Sequence, residues 1–125
     1  MRQIKYFIFS LLLLMGITIH PNAATTLSTS KSQVTKGSSF TVTVKASSVA
    51  AWNLHVSATG PVKGCSLNVA DSTADAKNTT KTFSTTCTST ATGKITIKLT
   101  GDTTNAAGST SNISTSKTVK VVSKS

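Results

Sequence analysis

The sequence predicts an all-β domain of short antiparallel strands, arranged as a sandwich or a barrel. Three observations carry this expectation. Apolar residues recur at every second position along most of the chain, and no stretch shows a helical period. Turn residues interrupt the alternation at intervals of roughly ten residues. Ser and Thr fill about 40 of the 101 positions from residue 25 onward, far above ordinary usage, and β-branched Thr suits a pleated, half-solvated surface.

The chain has 125 residues, enough for one domain and its core. Residues 1–24 read as a secretory signal. Arg2 and Lys5 form the positive start, and Tyr6 to Ile19 form an apolar run. His20, Pro21 and Asn22 break it, and Ala23 and Ala24 offer small residues for cleavage after Ala24. The apolar run is shorter than the ~20 residues that span a bilayer, so the domain at residues 25–125 is expected to leave no membrane-inserted part after cleavage.

Within that domain seven strands are expected in order. The first lies around Leu27 to Val34. Phe40, Val42, Val44 and Ala46 mark the second, and Ala50, Trp52, Leu54, Val56 and Ala58 the third. Cys65, Leu67 and Val69 mark the fourth, and Phe83, Thr85 and Cys87 the fifth. Ile95, Ile97 and Leu99 mark the sixth, and Val119 and Val121 the last. Lys36-Gly37, Gly60-Pro61, Asp71 to Asn78, Thr92-Gly93 and Gly101 to Asn112 read as the turns between them. One face of each strand is polar, as in antiparallel sheets with one solvated side. The expected inward set is Phe40, Val42, Val44, Trp52, Leu54, Val56, Leu67, Val69, Phe83, Ile95, Ile97, Leu99, Val119 and Val121.

That core is thin, and a covalent staple is expected to supplement it. Cys65 and Cys87 are the only cysteines, and export lets them pair. Their bridge would close a loop of about 23 residues, worth roughly 3.4 kcal/mol in the chain-entropy picture. Zinc needs three or four ligands, and His55 is the one histidine of the domain. No metal and no cofactor are therefore expected.

Catalysis is not expected either. The chain has no nucleophile elbow, no His-Glu-x-x-His helix and no phosphate loop with its lysine. Glu is absent and three Asp are the only acids, too few for convincing acid–base pairs. Asp71, Asp75 and Asp102 fall in stretches read as loops and are the weak candidates there. Two carboxylates per site are few for calcium, and turn chemistry explains them as well. Lys81 shares the parity of Phe83 and Cys87, so it is expected to turn inward at a strand edge with its aliphatic stem along apolar surface.

The segments Ala51-Trp52-Asn53, Gly60-Pro61-Val62, Gly64-Cys65-Ser66, Asn78 to Phe83, Gly101-Asp102 and Ser116 to Val119 occur in this order. With them the chain resembles the bacterial immunoglobulin-like domains of Gram-positive secreted and surface proteins, over nearly all of residues 26–122. The resemblance implies an immunoglobulin-like β-sandwich and a structural or adhesive setting, without chemistry. Such domains usually occur in arrays within anchored proteins, whereas one copy and no sorting signal are read here. Trp52 precedes both cysteines, so the Cys–Trp–Cys order of antibody domains is absent and the bridge would join other strands.

In such a sandwich the strands of Trp52, Ile95 and Val119 are neighbours. Their outward positions then gather His55, Lys94, Lys98 and Lys120 into a basic strip. The domain carries 11 Lys against 3 Asp, about +8, a field that attracts anionic polymers. Nucleic acid is not expected, because the domain lacks Arg and an exposed aromatic row. The function expected is a secreted, non-enzymatic binding or adhesion module at a cell surface, with an anionic polymer or a protein as partner. A spacer without ligand is the alternative, and a cationic effector a third reading. The composition fixes neither the ligand nor the oligomeric state.

Overall fold

The computed structural model describes residues 23–124. The export segment predicted at residues 1–24 lies outside them, apart from Ala23 and Ala24. Nine strands form among the described residues: β1 Ala24–Thr29, β2 Gln33–Thr35, β3 Ser39–Val49, β4 Ala51–Thr59, β5 Val62–Gly64, β6 Leu67–Ser72, β7 Thr79–Ser89, β8 Gly93–Thr104 and β9 Thr110–Val122. They make two sheets, one ordered β1-β3-β7-β5 and the other β2-β9-β8-β4-β6. Of the sandwich or barrel that the period-two pattern allows, the sandwich, which the family resemblance implies, is the architecture observed.

The count exceeds seven for two local reasons. The strand expected over Leu27 to Val34 divides, because the chain crosses from one sheet to the other between Thr29 and Gln33. β1 pairs antiparallel with β3, whereas β2 pairs parallel with β9, against the expectation of purely antiparallel pairing. A three-residue strand, β5, also forms on β7 before the cysteine. The fourth expected strand begins at Leu67 rather than Cys65, since Cys65 takes φ 64° where the chain leaves one sheet for the other.

The second correction concerns turns. Asp71 and Asp102 were expected in loops, but β6 runs to Ser72 and β8 runs to Thr104. Gly101 looks like a turn signal, yet it sits mid-strand opposite Leu54 at φ 136°. A side chain there would collide with the Asn53 backbone, so glycine serves close strand approach at this position. The hairpin between β8 and β9 therefore narrows to residues 105–109, where the buried Asn105 Oδ1 accepts from the Ala107 and Ser109 amides.

The core follows the alternation. Phe40, Val42, Val44, Trp52, Leu54, Val56, Ile95, Ile97, Leu99, Val119 and Val121 are buried, joined by Leu27, Val34, Ala46, Val49 and both cysteines. Three members of the expected set, Leu67, Val69 and Phe83, are only half-buried against this cluster. Cys65 and Cys87 form the disulfide, buried, with Cα atoms 4.4 Å apart. It ties the β5–β6 crossover to β7.

Candidate functional site

β4, β8 and β9 lie side by side in the five-stranded sheet, as the basic strip requires. Lys94 on β8 sits directly opposite Lys120 on β9, and both side chains are exposed. Lys98 lies further along β8, exposed and opposite Ser116. Beside it the sheet surface dips into a shallow hollow of about 440 Å³ lined by Thr96, Ser114, Thr115 and Ser116. His55 shares the outer face, but its Nδ1 lies 2.6 Å from Asn68 Oδ1. The ring is engaged toward β6, away from the lysines.

The register also sorts the charges along the sandwich. Lys36 N donates to Val122 O, Thr90 N to Pro61 O and Ser89 N to Ser38 O, which gathers these turns at one end. Lys36, Lys63, Lys94 and Lys120 stand exposed there, with Lys31 and Lys124 beside them in the chain. The buried Ser89 hydroxyl holds this end together: it accepts from Gly37 N at 3.0 Å and reaches the carbonyls of Thr35 and Ser38. The three Asp stand at the other end, with Lys77 and Lys81 among them. Asp71 is opposite Trp52, Asp102 is opposite Asn53 and Asn112, and Asp75 pairs with Lys77 at 3.3 Å. That pair is the only salt bridge among the described residues. The alternation in the sequence could not show this polarity, because it depends on strand register.

The candidate acids do not assemble into one site. Asp71 Oδ1 accepts from the Ser72 amide at 2.7 Å, and Asp75 is taken by Lys77. No three His, Cys, Asp or Glu side chains converge among the described residues.

A feature missed in the sequence lies on the flank between β6 and β7. A cleft of about 330 Å³ opens there, lined by Trp52, Val69, Ala70, Phe83, Asn68, Asp71 and Lys81. The Trp52 and Phe83 ring centroids are 6.3 Å apart at 44°. The Lys81 ammonium stands 5.7 Å from the Trp52 ring centroid, within the range of a cation–π contact. Lys81 thus turns inward over apolar surface, as its parity predicts. Half-buried Val69 and Phe83 are the residues whose inward parity could have disclosed the cleft, had the strand neighbours been known.

No protein-family model matches the chain, and no curated protein matches it in sequence. Solved structures do match its shape. One is native alpha-2-macroglobulin from Escherichia coli, from domain MG7 to the C-terminus, with TM-score 0.58 and 11% identity over 84% of this chain. This chain spans 17% of that one. Another is the CARDB domain of a Pyrococcus furiosus protein, solved in complex with di-metal ions. There the TM-score is 0.55 and the identity 16%, over 86% of this chain and 99% of that domain. At these identities the likeness concerns fold alone. With the two sheets and the disulfide described above, it shows the chain to be an immunoglobulin-like β-sandwich domain.

Proposed function

We propose that this chain is a secreted, non-enzymatic binding module that holds an anionic polymer of the cell surface on its lysine face. The observation that carries the reading is the directly opposed pair Lys94 and Lys120. Like charges facing each other across neighbouring strands destabilise a sheet, and all three acids stand at the far end of the domain. A polyanion laid across β8 and β9 relieves that repulsion, and Lys98 with its hydroxyl-lined hollow extends the track. The disulfide and the fold support an extracellular setting, and the sequence resemblance points to Gram-positive surfaces.

The test is co-sedimentation of the oxidised protein with isolated Gram-positive cell walls over a salt series. Retention should fall as salt rises, because exposed charges are screened. The double variant Lys94→Ala with Lys120→Ala should flatten the dependence of log affinity on log salt by about 1.4, at roughly 0.7 per lost contact to a flexible polyanion. Equal retention and slope in that variant overturns the proposal. Lack of retention at every salt concentration leaves the spacer reading in its place.

A further inference from the structure

We infer that the anionic polymer crosses the strands at the lysine-bearing end, from one flank of the sandwich to the other, and that it carries a charge on every backbone unit. The inference rests on the polyanion reading above and adds the course and the charge density of the ligand. The course follows from the backbone. Lys120 N donates to Ser32 O at 3.0 Å, which sets Lys31 beside β9, and Lys120 faces Lys94 on β8. On the other side of Lys94, Gly60 comes so close to the Lys94 carbonyl that a Cβ there would strike it. Val62 N donates to Gly60 O, and Lys63 follows on β5. Lys31, Lys120, Lys94 and Lys63 thus form an exposed transverse band. Lys36 stands below it, tied by its amide to Val122 O. None of these lysines pairs with a carboxylate among the described residues.

A course along β8 is the rival. The outward positions of β8 run Lys94, Thr96, Lys98, Thr100 and Asp102. A polymer laid along the strand therefore meets a carboxylate about 14 Å beyond Lys98, at ~3.4 Å per residue. The transverse band holds no acid, and Lys98 marks its upper margin. Charge density follows from the same geometry. Lysines facing each other on neighbouring strands stand about 5 Å apart. A backbone with an anion on every unit can oppose such a row, whereas a polysaccharide with one carboxylate per two sugars leaves lysines unmatched. A second copy of this chain does not supply the polyanion. Its three Asp stand among Lys77 and Lys81, which leaves one net negative charge there (three acids less two lysines). A membrane suits the band less well, because the turns at this end expose Gly37, Thr90 and Thr92 rather than large apolar side chains that could enter it.

The test titrates the oxidised protein into end-labelled inorganic polyphosphate and hyaluronate over a salt series, read by fluorescence anisotropy. Polyphosphate should bind roughly tenfold tighter or more at equal total charge, because more lysines are neutralised. Lys31→Ala with Lys63→Ala should flatten the dependence of log affinity on log salt by about 1.4, at roughly 0.7 per lost contact. Lys45→Ala with Lys77→Ala removes the same net charge away from the band and should leave the slope unchanged. Lys98→Ala should change it less than either Lys31→Ala or Lys63→Ala does alone. Asp102→Asn should leave affinity unchanged, whereas a course along β8 requires it to rise. The inference is overturned if the two lysine pairs act alike, if Lys98→Ala has the largest effect, or if hyaluronate binds as tightly as polyphosphate. Tighter binding of oligothymidylate than of polyphosphate at equal charge overturns it too, as does binding to phosphatidylglycerol vesicles without binding to polyphosphate. Polyphosphate binding that depends on Lys94 and Lys120 but not on Lys31 and Lys63 removes the crossing course and keeps the polyanion reading. Absence of binding to every polymer removes both.

Discussion

The two flanks of the sandwich close by different means. On one, β1 packs beside β9, β2 extends the sheet, and Leu27 and Val34 are buried in the seam. On the other, β6 and β7 stand apart, with the Cys65–Cys87 bridge at one half of the gap and the Trp52–Phe83 cleft at the other. Aliphatic packing suffices where two strands lie close together. Where they do not, the domain relies on a covalent bond and on its largest rings. A thin core of Val, Ile and Leu cannot seal both sides of a two-layer fold this small.

Removing the ring that spans the open flank should have the largest effect. Trp52→Ala deletes a nearly buried indole and its contact with Phe83, and should cost about 4 kcal/mol. Urea unfolding followed by far-UV circular dichroism measures it. A loss below about 1 kcal/mol would mean that the flank is held without the ring.

The covalent half comes next. Replacing both cysteines by Ala should cost about 3 kcal/mol, through a less constrained unfolded chain. The loss should be local as well as global. Amide exchange should quicken first at β5 and β6, which the bridge anchors to β7, and last at β1 and β9. Uniform acceleration across both flanks would break the distinction between them.

Equivalent truncations sharpen it further. Leu27 on the closed flank is 5% exposed, whereas Val69 on the open flank is half-buried. Leu27→Ala should cost about 2–3 kcal/mol, and Val69→Ala less than about 1 kcal/mol, since little area returns to water. Equal losses in paired denaturation curves would mean that the cleft is as well packed as the seam.

The same contrast decides what the sequence disclosed. Alternation is a local property, so the strands around Val42, Leu54, Ile97 and Val119 were legible, and their inward residues proved buried. Leu67, Val69 and Phe83 carry the same alternation yet remain half-exposed, because burial depends on which strand stands across the gap. Short elements escaped for a related reason: β2 and β5 have three residues each, too few to show a period. Gly101-Asp102 misled because a glycine required by close backbone approach looks like a glycine required by a turn. The lysine strip was legible once the strand order was assumed, but the Lys94–Lys120 opposition depends on register, and register is fixed by the assembled sheet.

The smallest effect separates the two lysines that take inward parity at the edges. Lys81 on β7 reaches the Trp52 ring, while Lys117 on β9 shares the parity of Val119 and stays exposed opposite Ile97. Lys81→Ala should cost about 0.5 kcal/mol, the scale of an exposed cation–π contact, whereas Lys117→Ala loses no ring contact and should leave stability unchanged. Their shared role is to keep a free edge from pairing with another chain, since an inward-turned charge cannot be buried by a passing strand. Lys117→Val removes that obstacle on the long β9 edge without opening a cleft, so it should make the protein associate with rising concentration in sedimentation velocity. Lys81→Val should associate less, because the unpaired stretch of β7 is shorter than that of β9. If Lys81→Val associates more strongly than Lys117→Val, the open flank is the stickier of the two, and the length of the unpaired edge does not decide association.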